Sequence, residues 1–135
     1  MHAFLSYNRS DKGLARQLGG QLKLVGADVW FDGWQLKAGD SIPGKLNEAL
    51  TAVDTLIVVW SLNAARSSWV RAELETAIAR SIEDGTPTVI PVLLDHTDLP
   101  PLVRALKWID LQDEDVGRAV NEIMGIPQKN EQARS

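Results

Sequence analysis

The chain has 135 residues, of which 44% are apolar, and it carries a formal net charge of -4 with a pI of about 5.1. This length and apolar content suit one domain with a real core and are too small for two ordinary domains. The acidic balance and the scattered Lys and Arg residues argue against a nucleic-acid binder, and the absence of cysteine excludes disulfides, thiolate nucleophiles and zinc-thiolate sites.

Metal binding and membrane insertion are not expected from the sequence. The two histidines, His2 and His96, are far apart and lack the spacing of metal ligands, so we predict no metal site. The first ten residues turn polar too early for a signal peptide, and no apolar run approaches the length that crosses a membrane. We therefore expect a soluble, cytoplasmic domain that does not enter a membrane.

Strands and helices are predicted to alternate along the chain. Apolar runs predict strands at residues 3–7, 28–31, 55–60, 88–94 and 107–110. Helical spacing of apolar residues predicts helices that begin after a Ser10 or Asp11 cap, at Pro43, at Arg66 and at Asp113. Gly26 is the predicted stop of the first helix, and Gly19 and Gly20 each weaken its middle by about 1 kcal/mol relative to Ala.

Three segments outside these helices carry separate expectations. Residues 32–40 lack periodicity and are predicted to be a loop. Pro91 within the fourth strand predicts a bulge or a position near the sheet edge. Residues 127–135 are polar, and we interpret them as a tail or a linker to a further C-terminal domain, after a domain of residues 1–126.

Five strands alternating with helices indicate an α/β fold with a parallel sheet covered on both faces, because parallel neighbours need crossover connections. The flavodoxin-like strand order 2-1-3-4-5 is predicted, with its switch point between the first and third strands. Ligands of open α/β sheets bind at the carboxyl edge of such a switch point. The order places residues 4–9 opposite the helix that begins near Arg66.

This third predicted helix carries a candidate site at its start. Ser67 or Ser68 can cap its first amides, and the remaining amides and the positive dipole end favour a phosphate. Trp69 and Glu73 are four residues apart and therefore lie one turn apart on the helix. Taken alone, Glu73 would be read as a solvated charge and Trp69 as a core residue, since charged helix faces are common and tryptophan is usually buried.

Three stretches together resemble the Toll/interleukin-1 receptor (TIR) domain in its bacterial form. They read Phe-Leu-Ser-Tyr-Asn-Arg-Ser at residues 4–10, Val-Trp-Phe-Asp-Gly-Trp-Gln-Leu-Lys-Ala-Gly-Asp at residues 29–40, and Ser-Ser-Trp-Val-Arg-Ala-Glu-Leu at residues 67–74. The resemblance covers about residues 1–125. It implies a flavodoxin-like sheet, a mobile loop after the second strand and, for many bacterial, plant and neuronal members, cleavage of NAD.

The resemblance also assigns roles to residues. The glutamate that NAD-cleaving members use matches Glu73, their contact after the first strand matches Arg9, and the aromatic residue before the glutamate matches Trp69. Nicotinamide leaves NAD+ as a neutral molecule, so the site must mainly stabilise an oxocarbenium-like ribose, which a fixed carboxylate can do. Glu73 is therefore the predicted catalytic residue. The predicted substrate-binding residues are Ser6, Tyr7, Arg9, Asp32, Trp34, Leu36, Ser67 and Trp69, with NAD+ as substrate and no cofactor.

Other functions compatible with the fold need residues that this sequence lacks. A receiver domain needs acidic residues where Asn8 and Ser61 stand, and a dinucleotide oxidoreductase needs a glycine-rich turn after the first strand. The predicted activity is release of nicotinamide with ADP-ribose or a cyclic isomer. The resemblance implies self-association with other TIR domains. We also predict control by a C-terminal sensor domain attached through the polar tail, and a role in bacterial antiphage defence. The alternative is a non-enzymatic module that signals through contacts between TIR domains.

Overall fold

Five parallel strands form one sheet, in the order β2-β1-β3-β4-β5. The strands are β1 (His2–Ser6), β2 (Asp28–Phe31), β3 (Thr55–Trp60), β4 (Thr88–Leu93) and β5 (Ile109–Asp110). Every neighbouring pair is parallel, so each connection between neighbours returns from one end of the sheet to the other. The predicted α/β sheet with flavodoxin-like order 2-1-3-4-5 is confirmed, and its switch point lies between β1 and β3.

The structure, a computed structural model, describes residues 1–31, 51–101, 103–104 and 106–126, and in these ranges it leaves undescribed the side chains of Ser68, Trp69, Val70 and Glu73. Three predicted segments lie outside the described residues. They are the loop at residues 32–40, the helix from Pro43 up to residue 50, and the tail at residues 127–135.

Helices cover both faces of the sheet, as predicted. On one face lie α1 (Lys12–Leu24) and α4 (Val116–Met124), and on the other lie α2 (Leu62–Ala65) and α3 (Ser68–Asp84). Side chains along each strand alternate between two apolar cores, because successive residues of a strand point to opposite faces. The first core takes Leu5, Ile57 and Val59, and the second takes Phe4, Leu56 and Val58. All six residues of β3 are buried, which accounts for its nearly continuous apolar sequence.

The start of the first helix differs from the prediction. Asn8, rather than Ser10 or Asp11, supplies the capping side chain, which accepts a hydrogen bond from the backbone N of Ser10 at 2.9 Å. A 3-10 turn, Arg9–Asp11, follows and leads into α1. Asp11 stands at the N-cap position of α1 but makes no capping hydrogen bond with its side chain. Gly26 ends α1 as predicted, with a φ of 100° that favours glycine.

The region after β3 contains the predicted helix, and a short helix that was not predicted precedes it. The first is the one-turn α2, capped by Ser61, whose Oγ accepts a hydrogen bond from the backbone N of Ala64 at 3.1 Å. The second is α3, which begins at Ser68 and extends to Asp84. Farther along the chain, β5 is shorter than predicted, and α4 begins only at Val116.

Pro91 lies in β4 without a bulge. The register between β3 and β4 is continuous, and Val58 is the partner of Pro91. The last strand, β5, pairs only with Val92 and Leu93. In the part of the chain that the structure describes, β4 therefore has no second partner strand at Pro91, and a missing amide hydrogen is tolerated there. Of the two predicted explanations, a position near the sheet edge is correct and a bulge is wrong.

Gly19 has a packing role that the sequence analysis did not assign to it. It lies in the buried face of α1, and a Cβ built on it would meet the Phe31 ring at 2.5 Å and a Leu5 methyl at 3.3 Å. A side chain at this position would therefore require the Phe31 ring or α1 to shift. Gly20, by contrast, is exposed, and a Cβ there would meet nothing within 4 Å.

These two neighbouring glycines predict opposite effects of the same substitution. Gly20→Ala should raise the free energy of unfolding by about 0.5–1 kcal/mol, since alanine is the better helix former. Gly19→Ala should lower it, because overpacking of a core costs about 1–3 kcal/mol and exceeds the gain in helix propensity. Urea unfolding of both variants measures the difference. Equal stabilisation by both substitutions would show that α1 does not need glycine against Phe31.

Candidate functional site

The turns that follow β1 and β3 lie side by side at the carboxyl edge of the sheet. Parallel pairing of the two strands makes Val58 the partner of Ser6, so both strands end at the same edge. Side-chain hydrogen bonds then join the turns, from Ser61 Oγ to Asp11 Oδ2 at 2.6 Å and from Asn63 Nδ2 to Asp11 Oδ1 at 3.2 Å. This edge is the predicted crevice, and we call it the β1–β3 crevice.

Ser6 lies at the carboxyl end of β1 and is fully buried, with 0% of its surface exposed. Its Oγ has no hydrogen-bond partner among the described residues. An unsatisfied buried hydroxyl costs about 1–3 kcal/mol, and buried polar groups in native proteins are nearly always paired. Ser6 therefore presents an unused donor and acceptor at the switch point of the sheet.

Three further predicted residues lie at the same edge. Tyr7 is partly buried and packs against the core beneath α1 and α4. Arg9 is exposed in the 3-10 turn that follows β1. Ser67 is partly exposed and directly precedes α3, where its carbonyl accepts the first helical hydrogen bond from Arg71 N at 3.1 Å. The turn after β1 contacts Ser61 and Asn63, and the start of α3 follows a few residues later in the chain.

The remaining predicted site residues are placed only in part or not at all. Trp69 and Glu73 belong to the first and second turns of α3, beside the buried Leu74, and their side chains are not described. Asp32, Trp34 and Leu36 lie outside the described residues. The roles predicted for these five residues remain predictions.

Asp11 is a site residue that the sequence analysis missed. The sequence predicts it only as a possible cap of α1. Instead its carboxylate reaches Ser61 and Asn63, fifty and fifty-two residues farther along the chain. Nothing local in the sequence marks such a contact, because it exists only once β1 and β3 are paired.

Asp95, in the loop after β4, binds the start of α2 from the side of β4. Its carboxylate accepts hydrogen bonds from the backbone N of Leu62 at 3.0 Å and from the backbone N of Thr97 at 2.9 Å. Partial burial acts to raise the pKa of Asp95, but the hydrogen bonds from Thr97 and Leu62, together with the neighbouring His96, outweigh burial and lower the pKa. Asp95 therefore remains ionised at neutral pH and holds the first amide of α2.

His2 lies away from the crevice. The Nδ1 atom of His2 contacts Asp28 Oδ2 at 3.0 Å, and its backbone N donates to Asp54, so His2 lies at the opposite, amino edge of the sheet. Within the described ranges, no group of three or more His, Asp and Glu residues could hold a metal ion. The same ranges contain no helix that is both long and apolar enough to cross a bilayer.

A separate cavity of about 290 Å³ opens beside the ends of β4 and β5. Its walls are fixed by hydrogen bonds from Trp60 Nε1 to the carbonyl of Asp98 and from Arg104 Nε to the carbonyl of Leu99, each 3.0 Å long. Its lining residues are Leu93, Asp95, His96, Thr97, Asp98, Leu99, Arg104, Trp108 and Gln112. Of the predicted site residues whose side chains the structure describes, none lines this cavity.

The fold and the β1–β3 crevice define a doubly wound parallel α/β domain with a polar crevice at its switch point. The sequence model of the TIR domain family matches residues 3–124, and the chain therefore belongs to the TIR domain family. The resemblance found in the sequence is confirmed.

Known proteins similar to this chain include an NAD(+) hydrolase and a 2′ cyclic ADP-D-ribose synthase. A 2′ cyclic ADP-D-ribose synthase from Bacteroides thetaiotaomicron is 31% identical over 90 residues, which cover 66% of this chain and 31% of that protein. An NAD(+) hydrolase from Escherichia coli is 29% identical over 90 residues, covering 66% of this chain and 29% of the hydrolase. The match thus spans less than a third of either relative.

Solved TIR structures share the fold at lower sequence identity. The TIR domains of the activated Roq1 resistosome superpose with a TM-score of 0.69 at 21% identity, covering 92% of this chain and 97% of that chain. This likeness supports the assignment of the fold.

Two buried serines of the crevice give a matched test of its polar groups. Ser61 is 2% exposed and fully hydrogen-bonded, whereas the Oγ of Ser6 has no partner among the described residues. Ser61→Ala should lower the free energy of unfolding by about 1 kcal/mol or more, and Ser6→Ala should leave it unchanged or raise it. Thermal or urea unfolding of both variants decides the matter. A large destabilisation by Ser6→Ala would mean that its hydroxyl serves the fold.

Proposed function

We propose that this chain is an NAD+ nucleosidase that cleaves the bond between nicotinamide and ribose. NAD+ is the proposed substrate and the chemistry needs no cofactor. Three observations support the proposal: membership of the TIR family, relatives that include an NAD(+) hydrolase and a cyclic ADP-ribose synthase, and a polar crevice at the switch point. The proposed cellular location is the cytoplasm.

The single observation that carries the proposal is the unpartnered hydroxyl of Ser6. A module that only docks with other proteins uses its outer surface and gains nothing from an unsatisfied hydroxyl buried at a sheet end. A ligand that inserts a polar group into the crevice would satisfy this hydroxyl. The ribose hydroxyls of NAD+ are groups of this kind.

Glu73 is the proposed catalytic residue. As the bond from C1′ to the nicotinamide nitrogen breaks, its electron pair moves to the ring, which leaves as neutral nicotinamide without needing an acid. The positive charge that develops on the ribose is stabilised by the carboxylate of Glu73. Water then adds to C1′ and loses a proton to give ADP-ribose, or a nucleophilic group of the same molecule adds to C1′ and gives a cyclic isomer.

The other predicted residues receive binding roles in this proposal. Arg9 and the first amides of α3, next to Ser67, bind the pyrophosphate, since a helix N-terminus with exposed amides favours anions. Trp69 and Trp34 stack on the flat rings of the dinucleotide. Tyr7, Asp32 and Leu36 complete the walls around the substrate.

Replacing the carboxylate of Glu73 tests the proposed reaction. Glu73→Gln should reduce nicotinamide release from NAD+ by at least about 100-fold, because it removes a charge aimed at the transition state, and should leave the melting temperature nearly unchanged. Glu75→Gln is the matched control: the same chemical change on an exposed position of the same helix. Full turnover by a folded Glu73→Gln protein, or equal losses in both variants, would refute the assignment.

We further propose that turnover depends on self-association. The loop at residues 32–40, which contains Trp34, is proposed to complete the crevice of a neighbouring molecule, so that a monomer holds NAD+ in an open, wet site. The activated Roq1 resistosome contains more than one TIR domain, which is consistent with such an arrangement. A C-terminal sensor domain attached after residue 126 would drive assembly, as an effector or signal producer in bacterial antiphage defence.

Mixing two inactive variants tests whether a neighbour completes the site. Glu73→Gln and Trp34→Ala should each lose activity alone, but a mixture of the two should recover part of it, because some crevices then combine an intact Glu73 with an intact Trp34 from a neighbour. Nicotinamide release is measured at a protein concentration where the wild-type chain is active, with enforced clustering if needed. A mixture no more active than its components, with full wild-type activity in a demonstrated monomer, would rule out shared sites. The non-enzymatic alternative predicts no nicotinamide release in any sample.

A further inference from the structure

The one-turn helix α2 is held on two sides by carboxylates from other parts of the chain. Asp11, from the turn after β1, binds it at one side, and Asp95, from the loop after β4, binds it at the other. The turn with Asp11, the helix α2 and the loop with Asp95 follow three neighbouring strands of the sheet, β1, β3 and β4 respectively. We call Asp11 and Asp95 together the α2 clamp.

On the Asp11 side, the hydrogen bonds form a connected chain. The backbone N of Ala64 donates to Ser61 Oγ at 3.1 Å, and Ser61 Oγ donates in turn to Asp11 Oδ2 at 2.6 Å. Asn63 Nδ2 donates to the second carboxylate oxygen at 3.2 Å. Because Ser61 is buried, the two hydrogen bonds of its hydroxyl are stronger than the same bonds in water.

On the Asp95 side, one carboxylate ties a loop to a helix start. Oδ2 accepts from the backbone N of Leu62 at 3.0 Å, and Oδ1 accepts from the backbone N of Thr97 at 2.9 Å. Leu62 is the first residue of α2, so Asp95 fixes the helix end that lies nearest β3.

Backbone hydrogen bonds connect α2 to the start of α3, so that the position of α3 depends on the position of α2. The N of Ser67 donates to the carbonyl of Ala64 at 2.9 Å, and the N of Arg71 donates to the carbonyl of Ser67 at 3.1 Å. Ala64 itself is fully buried in the core beneath α3. A shift of α2 would therefore move Ser67 and the first two turns of α3, which contain Trp69 and Glu73.

We propose that Asp11 and Asp95 are positioning residues, which set the place of α3 relative to the β1–β3 crevice and thereby the reach of Glu73 toward the substrate. The inference rests on the proposed cleavage of NAD+. Asp11 makes no capping hydrogen bond to α1, and in the described residues 96–101 no helix follows Asp95. Each carboxylate instead fixes the segment that leads to the proposed catalytic residue.

The test compares three aspartates that each hold a helix start. Asp11→Ala and Asp95→Ala each remove one side of the clamp. Asp115→Ala instead removes the cap of α4, because Asp115 Oδ1 accepts a hydrogen bond from Arg118 N at 3.1 Å. This cap is far along the chain from the crevice. Melting temperature, kcat and KM for NAD+ are measured for the full chain under conditions where the wild type is active. Misplacing a reacting group by about 1 Å can cost about 100-fold in rate, so we expect kcat to fall at least about tenfold in both clamp variants, with a smaller change in KM.

The control and the conservative variant separate positioning from stability. Asp115→Ala should lower the melting temperature without lowering kcat. Asp11→Asn keeps an oxygen that can accept from Asn63 and should recover part of the lost kcat. Wild-type kcat in Asp11→Ala, or a kcat loss in Asp115→Ala equal to that of the clamp variants, would overturn the proposal.

Amide hydrogen exchange tests whether the clamp fixes α2 and α3 without depending on NAD+ cleavage. If the clustered wild-type chain releases no nicotinamide, the proposed function fails, and the clamp is then judged by amide exchange alone. Asp11→Ala should speed exchange at residues 62–71 and leave α4 unchanged, while Asp115→Ala should do the reverse. Unchanged exchange at residues 62–71 in Asp11→Ala would overturn the clamp.

Discussion

The parallel pairing of β1 with β3 is the constraint on which the rest of this structure depends. It makes Val58 the partner of Ser6, 52 positions earlier in the chain, and brings the ends of the two strands to one edge of the sheet. Because neighbouring parallel strands must be joined by crossovers, the helices are forced onto the two faces, and this edge is left open where the order reverses. The crevice, the unpartnered hydroxyl of Ser6 and the contact of Asp11 with Ser61 all follow from this pairing.

Much of the fold could be predicted from sequence because a strand that is buried on both faces has a nearly continuous apolar sequence. The residues of β3 are buried on both sides, and their sequence is correspondingly apolar from Thr55 to Trp60. The apolar stripe of α1 and the stop at Gly26 are equally local signals. Of the candidate site, the placement of Ser6, Arg9 and Ser67 at the carboxyl edge follows from strand order alone.

What could not be predicted depends on contacts between distant segments. Asp11 has the local sequence of a helix cap, and only the pairing of β1 with β3 turns its carboxylate toward Ser61. The helix α2 has four residues, too few for a periodic pattern, and it is fixed by Ser61 and by Asp95 from another loop. Gly19 has the local character of a weak helix position, but the Phe31 ring occupies the place of its side chain. In each case tertiary packing outweighs the local preference.

The central claim is that NAD+ binds in the β1–β3 crevice, and its most direct test is a map of the binding site. NAD+ is titrated into isotopically labelled Glu73→Gln protein, which should bind without turning over, while backbone amide resonances are followed. The account predicts that the largest changes occur at Ser6, at residues 61–67 and in the first two turns of α3. Changes confined to the cavity around Leu93 and Trp108, or no changes at high NAD+ concentration, would contradict it.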